Sequence, residues 1–204
     1  MKIINDKKDA IKELKRISSR TNSENNKKIN KIVEKILLEV KTNGDAAIEK
    51  YTKKFDGYNP KPMRVSTNDL KNAWDEIDSD LKRSLKVAHN RIKKFHEKEI
   101  PPSFTIEGKH GDIVQRKWRP VKKAGIYIPG GRAAYPSTVL MNAIPATVAG
   151  VDEIIMVSPG NKEGIINKTV LAAAHLSGIN KVLRIGGAQA IGALAFGTNQ
   201  IDKV

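Results

Sequence analysis

Apolar residues in the first hundred positions recur at a spacing of three or four, which is the spacing of one face of a helix. Ile11, Leu14 and Ile17 predict a first short helix over residues 5–20. Ser23 is placed to cap a second, longer helix. The apolar stripe of that second helix is Ile29, Ile32, Val33, Ile36, Leu37 and Val40.

Three further helices are predicted before residue 100. The first follows Asn43-Gly44 and is predicted to be capped by Asp45. The second begins at the capping box Ser66-Thr67-Asn68-Asp69, and the third begins at Ser79 or Asp80. The residues expected to be buried on the first of these helices are Ala47, Ile48, Tyr51 and Phe55.

The pattern changes after residue 103. Apolar residues on either side of a glycine-containing stretch, 108–111, predict a β-hairpin. Short runs rich in Ile and Val then alternate with runs rich in Ala and Gly, which indicates strand–helix units and a parallel sheet. The strands are predicted at residues 124–128, 153–158 and 181–185, the later helices at 164–177 and 188–196, and the start of one more strand at 201–204.

The stretch from residue 123 to residue 145 reads as a strand, a break at Pro129-Gly130-Gly131 and a helix of small residues. In open α/β sheets such a turn presents backbone N–H groups and a helix N-terminus to ligands that carry phosphate or carboxylate. The stretch lacks the spacing G-x-G-x-x-G of the dinucleotide fingerprint. Gly130-Gly131 is therefore either a ligand-binding loop or a tight turn alone.

Two side chains are candidates for ligand contact at the carboxyl edge of the predicted sheet. Tyr127 lies at the end of one strand, and Gln189 lies just beyond another. A tyrosine can stack on a planar ring, and a glutamine can offer both a donor and an acceptor to an amide or a ribose. The alternatives are a partly buried core tyrosine and an amide that caps a helix.

Composition removes several kinds of chemistry. The absence of cysteine excludes disulfides, thiolate catalysis and cysteine-ligated metals. His89 and His96 lack the spacing of four that pairs metal ligands on a helix, so they are interpreted as surface or packing residues. From the residues alone we assign no catalytic group and no metal ligand. With no signal peptide and no apolar run of membrane-spanning length, a cytoplasmic location and no membrane association are expected.

The net charge of +15 raises a different possibility. A basic, non-enzymatic module that binds nucleic acid would carry such an excess. Such modules usually cluster their charge on one face and expose aromatic residues, whereas here lysines are scattered along amphipathic helices and only 5% of residues are aromatic. Nucleic-acid binding therefore remains the alternative hypothesis and not the first.

Several long motifs, in order, resemble those of the histidinol dehydrogenases. The strongest are GIYIPGGRAAYPSTVLMNAIPATVAG at 125–150 and IGGAQAIGALAFGT at 185–198. NGDAAIEKYTKKFDG, NRIKKFHE and QRKWRPVKKAGIYIPGG precede them at 43–57, 90–97 and 115–131. The similarity runs from about residue 25 to residue 204.

The resemblance implies an α/β fold with a helical N-terminal region followed by an incomplete Rossmann-like parallel sheet (βαβαβα). Its domains would be a mainly helical region with a hairpin, 1–115, and an NAD-contacting domain, 116–204. It also implies a homodimeric enzyme of histidine biosynthesis that uses zinc and two molecules of NAD in turn. The substrate would be L-histidinol, oxidised through L-histidinal to L-histidine.

The residues that the resemblance assigns to NAD are Tyr127 and Gln189. A third contact, an asparagine, is expected shortly after Val204. The catalytic Glu-His pair and the zinc ligands of the family are likewise expected beyond residue 204, because none of His89, His96, His110 and His175 matches them. We therefore expect a truncated chain without dehydrogenase activity, with apolar surface exposed and a tendency to aggregate.

Overall fold

A computed structural model describes residues 3–18, 24–130 and 134–204. Ser23, predicted to cap a helix, and Gly131 lie outside the described residues. Eight helices lie within them, and none of these is long and apolar enough to cross a membrane. The helices are α1 (Lys7–Ser18), α2 (Glu24–Asn43), α3 (Asp45–Phe55), α4 (Thr67–Glu76), α5 (Ser79–His96), α6 (Pro136–Ala149), α7 (Lys168–Leu176) and α8 (Gly187–Phe196).

Six strands form two sheets in the described part of the chain. A four-stranded sheet has the order β1-β6-β5-β4, and an antiparallel hairpin pairs β2 with β3. Strands β4, β5 and β6 are parallel to one another, while β1 is antiparallel to β6. The strands are β1 (Arg64–Val65), β2 (Phe104–Glu107), β3 (Ile113–Arg116), β4 (Lys123–Tyr127), β5 (Glu153–Val157) and β6 (Lys181–Leu183).

Helices cover both faces of the larger sheet. Because successive strand residues point to opposite faces, Ile155 and Val157 of β5 enter one core and Met156 enters the other. The first core is closed by α8, with α2 and α3 packed around it. The second is closed by α6 and α7, with α4 and α5 outside them. The prediction of an α/β fold with a helical N-terminal region and a parallel sheet is confirmed.

Strand β1 was not predicted from the sequence. Its two residues pair Arg64 with Leu183 and Val65 with Val182 of β6. Two residues are too few to show an alternation of apolar and polar positions. The strand exists because the segment leaving α3 is carried past the edge of β6, which only tertiary packing decides.

Several helix boundaries agree with the sequence. The capping box of α4 is confirmed: the N–H of Asp69 donates to Oγ of Ser66 at 3.0 Å, and the N–H of Ser66 donates to Oδ2 of Asp69 at 3.3 Å. Helix α5 begins at Ser79 as predicted, but its cap is Asp78, whose carboxylate accepts from the N–H of Leu81 at 2.7 Å. Gly178 follows the cap residue of α7 with a φ of 75°, as a terminating glycine does.

Other predictions of local structure are wrong. Gly44 precedes α3 as its cap residue and no side chain caps the helix, so Asp45 is only its first residue. Phe55 was expected to be buried, but it is 51% exposed and stacks on the ring of Tyr51 at the edge of the core. Helix α7 begins at residue 168, not at 164, because Asn167 caps it by accepting from the N–H of Thr169.

Residues 201–204 do not form the predicted strand. Ile201 is buried against the core beneath α8, and the N–H of Val204 donates to the carbonyl of Leu194 at 3.0 Å. The segment is therefore paired with a helix and not with the sheet. The hairpin, by contrast, is confirmed, with Ile106 opposite Val114. The division of the chain into domains 1–115 and 116–204 stays a prediction.

Candidate functional site

Three turns lie side by side at the carboxyl ends of β4, β5 and β6. They contain Gly130, Pro159-Gly160 and Gly186-Gly187. The hydrogen bonds between the parallel strands continue up to the turns. The N–H of Ile128 donates to the carbonyl of Val157, and the N–H of Ser158 donates to the carbonyl of Leu183. The ends of the three strands are therefore level, and backbone of all three turns meets at one edge.

Pro159 occupies the space between the two outer turns. A Cβ added to Gly130 would lie 2.5 Å from Cγ of Pro159, and one added to Gly186 would lie 2.6 Å from its Cβ. Real Cβ atoms do not approach other atoms so closely. Glycine at both positions thus allows the three turns to pack against a single proline ring.

Tyr127, the last residue of β4, reaches across β5 to the turn that follows β6. Its hydroxyl accepts a hydrogen bond from the N–H of Gly187 at 3.1 Å. The partly buried ring packs against the core on the α8 side of the sheet. Tyr127 therefore lies at the edge predicted from the sequence, and its hydroxyl already contacts the backbone at the start of α8.

Gln189 lies two residues further on, in the first turn of α8. Its side chain is only 1% exposed, and neither its carbonyl oxygen nor its amide nitrogen has a hydrogen-bond partner. The amide folds back on the start of its own helix, since a Cβ added to Gly187 would lie 2.6 Å from Oε1 of Gln189. Tyr127 and Gln189 thus meet at the same glycine, on the same face of the sheet.

The burial of Gln189 corrects one feature of the prediction. The sequence indicated a side chain open to a ligand at the edge, whereas the structure turns the amide inward. The reason is that α8 packs its first turn on the sheet, which also buries Ala190, Ala193 and Leu194. A buried amide without partners costs about 1–3 kcal/mol. Such a group is uncommon in native proteins.

Tyr58 is a further residue at this edge, and no pattern in the sequence pointed to it. It follows α3, and only 6% of it is exposed. Its hydroxyl donates to the carbonyl of Arg184 at 2.7 Å and accepts from the N–H of Gly160 at 2.9 Å. Burial raises the pKa of the hydroxyl, an effect that the hydrogen bond from Gly160 opposes. The hydroxyl therefore remains protonated at neutral pH and can donate.

A cleft of about 240 Å³ adjoins the turns that follow β4 and β5. It extends to the start of α7, where Asn167 caps the helix. Backbone amides and polar side chains therefore face a space beside the proline of the central turn. The lining includes Gly130, Ser158, Gly160, Asn161, Asn167 and Lys168.

The described residues contain no group of three or more His, Cys, Asp and Glu that could hold a metal ion. His96, at the end of α5, contacts the carboxylate of Glu99. His175 lies against the ring of Trp74. The edge formed by the three turns offers amides, hydroxyls and backbone N–H groups. Such groups suit a polar organic ligand.

Comparison of the chain with known proteins identifies its family. The family model described as histidinol dehydrogenase matches residues 19–204. The chain belongs to the histidinol dehydrogenase family. The match includes the three glycine turns, Tyr58, Tyr127 and Gln189.

Relatives and a solved structure agree with the family. Histidinol dehydrogenase of Prochlorococcus marinus strain MIT 9312 is 84% identical over 204 residues, which is all of this chain and 46% of that protein. The Aquifex aeolicus enzyme is 50% identical over 171 residues, covering 83% of this chain and 39% of its own length. A crystal structure of histidinol dehydrogenase from Elizabethkingia anophelis is 38% identical, with a TM-score of 0.82 over 86% of this chain and 41% of that one.

The chain therefore spans about half the length of the curated relatives it matches. The helical region and the parallel sheet of this chain both lie within the 204 matched residues. The expected resemblance to the amino-terminal half of a histidinol dehydrogenase is confirmed.

Proposed function

We propose that these 204 residues form the NAD-contacting part of a histidinol dehydrogenase, which oxidises L-histidinol to L-histidine through L-histidinal. The observation that carries the proposal is the buried, unpartnered amide of Gln189 beside the hydroxyl of Tyr127. Both are residues that the resemblance to the family assigns to NAD, and both adjoin the Gly187 turn.

The residues at the edge suit the polar groups of NAD. The Gln189 amide can donate and accept at once, and the Tyr127 ring ends at the open side of the turn. Contact with Gln189 requires its side chain to rotate outward. Because the amide makes no hydrogen bond inside the protein, that rotation breaks none. Once turned outward, the amide would gain hydrogen bonds to the ligand that it lacks when buried.

In this proposal the chain's own residues bind and orient, and they do not transfer protons. NAD, when bound, supplies the hydride acceptor for oxidation of an alcohol and an aldehyde. Tyr127 would fix one part of the dinucleotide and Gln189 another.

The remaining chemistry is proposed to come from polypeptide outside these 204 residues. That includes the zinc ligands, the proton-transferring residues and the groups that bind L-histidinol. The homodimer and the cytoplasmic location implied by the family are part of the same proposal. The alternative of a basic nucleic-acid-binding module, suggested only by the net charge of +15, stays untested.

The purified chain tests the proposal directly. We expect NAD to bind in a calorimetric titration and to shift the backbone amide signals of residues 186–189 in NMR spectra. We also expect no steady production of NADH when L-histidinol, NAD and Zn²⁺ are supplied together. Gln189→Leu should abolish the binding of NAD. Its matched control is Gln115→Leu, at an exposed amide on the hairpin, which should leave NAD binding unchanged.

Two results would contradict different parts of the proposal. Absence of NAD binding would remove the assignment of Tyr127 and Gln189. Steady NADH production would show that the catalytic residues lie within these 204 residues.

A further inference from the structure

One hydroxyl joins two of the three turns at the candidate site. Tyr58 donates to the carbonyl of Arg184, directly after β6, and accepts from the N–H of Gly160, in the turn after β5. The two groups belong to neighbouring parallel strands. A single oxygen atom, in a buried side chain, therefore links the two turns and sets the distance between them.

The ring of Tyr58 constrains the same region. Gly164, which has a φ of 74°, packs so closely that an added Cβ would lie 2.9 Å from Cδ2 of Tyr58. Gly160 in turn lies against Gly164, with an added Cβ at 2.5 Å from its carbonyl carbon. The loop between β5 and α7 is thus folded around the tyrosine ring, and the hydroxyl is held at a fixed depth.

The position of Tyr58 is fixed from the helical part of the chain. Five residues after it, the carbonyl of Met63 accepts from the N–H of Arg184 at 2.9 Å, and β1 then pairs with β6. The segment between α3 and β1 therefore crosses the ends of β5 and β6 and is anchored on both sides of Arg184. Tyr58 thus lies outside the predicted NAD-contacting domain, 116–204, and yet reaches the proposed ligand-binding edge of that domain.

We infer that Tyr58 is a positioning residue for the dinucleotide edge, whose hydroxyl holds the turn after β5 in register with the turn that presents Gly187 and Gln189. The inference rests on the proposed function, since it specifies how that same edge is kept in shape. Pro159, which Gly130 and Gly186 both contact, transmits the position of the β5 turn to the two outer turns. Loss of the hydroxyl leaves the Gly160 N–H and the Arg184 carbonyl without this partner while the ring still fills its space.

The experiment compares two matched substitutions, Tyr58→Phe and Tyr51→Phe, in the full 204-residue chain. Tyr51 is also buried, and its hydroxyl lies beside the Glu39 carboxylate, between α2 and α3. Both variants lose one buried hydroxyl, so both should lose thermal stability. Only Tyr58→Phe should weaken NAD binding, by about tenfold in Kd, because the turns are then no longer held in register and a loss of that size corresponds to about one hydrogen bond.

The outcomes separate the inference from the proposed function. If Tyr58→Phe binds NAD as tightly as the unaltered chain, or if Tyr51→Phe loses as much affinity, the positioning role is wrong and the proposed function stands. If the unaltered chain does not bind NAD, the proposed function is wrong and the inference falls with it. If Tyr58→Phe does not fold, the inference is tested by amide hydrogen exchange in the unaltered chain, with and without NAD. NAD must slow exchange at Gly160, and an unchanged rate overturns the inference.

Discussion

The side chain of Gln189 is arranged against the usual rule for buried polar groups. Nearly all such groups in native proteins have hydrogen-bond partners, and here both ends of an amide have none. The residue occupies the first turn of α8, next to a glycine with a φ of 64°. An apolar side chain of similar size would fill the same space without the cost of a buried amide. An amide that lowers stability at this edge fits the proposed role of Gln189 in binding.

Gln189→Leu tests that interpretation because it should raise the stability of the chain and lower its affinity for NAD. Removing the unpartnered amide should stabilise the free chain by about 1 kcal/mol. The same change should abolish the proposed contact with NAD. Thermal unfolding and calorimetric titration measure the two effects. A variant that is less stable than the unaltered chain would mean that the amide has partners in solution, and unaltered NAD affinity would remove Gln189 from the site.

At the level of elements, four charges tie together the starts of the parallel strands. Lys181 of β6 contacts Glu153 of β5 at 2.6 Å and Asp202 at 2.7 Å, and Lys123 of β4 contacts the same two carboxylates at 3.3 and 3.7 Å. The pKa values of both carboxylates are lowered, chiefly by hydrogen bonds from Lys181. That of Lys181 is raised, chiefly by its hydrogen bond to Asp202.

These shifts determine how stability depends on pH. Carboxylates with lowered pKa values stabilise the fold fully above their unfolded pKa, about 4, and lose that contribution as pH falls through the folded values. Lys181, whose pKa is raised, contributes fully below its unfolded pKa of about 10.4 and loses the contribution as pH rises through the folded value. The network should therefore act at full strength across the neutral range.

Lys181→Met should lower Tm at pH 7 by about 2 °C or more, and the difference from the unaltered chain should shrink below about pH 4. Lys71→Met is the matched control, because Lys71 pairs with Asp75 on an exposed face of α4. Exposed pairs of this kind contribute little, so the control should change Tm hardly at all. Equal effects of the two substitutions at pH 7 would show that the four charges do not act as a network.

On the scale of the whole molecule, one of the exposed apolar patches lies on the hairpin. All eight residues of β2 and β3 are exposed, and the cross-strand pair Ile106 and Val114 is exposed by 59% and 61%. Trp118 follows them with half of its surface open. Exposed apolar patches on paired strands favour association between molecules.

Replacing Ile106 and Val114 together by threonine should reduce self-association of the chain, measured by light scattering across protein concentrations. Threonine keeps the preference for strands, so Tm should change little. Val121→Thr, at an equally exposed position before β4, is the control and should not alter association. Undiminished self-association of the double variant would place the responsible surface elsewhere.

Local signals account for most of the secondary structure that was predicted correctly. The Ser66 capping box, the hairpin glycines and the alternation of Val-rich and Ala-rich runs act over a few residues, so the sequence alone determined them. The family, too, follows from ordered motifs. The position of Tyr127 at the end of a parallel strand needed no more than the strand itself.

Packing between distant segments decided the rest. Strand β1 exists only because β6 offers an unpaired edge, and Asp45 fails to cap because Gly44 already begins the turn into α3. The inward turn of Gln189 follows from how α8 meets the sheet. The hydroxyl of Tyr58 bonds to groups 102 and 126 residues away. Interactions over such separations depend on where whole elements lie, and no local pattern of residues encodes that.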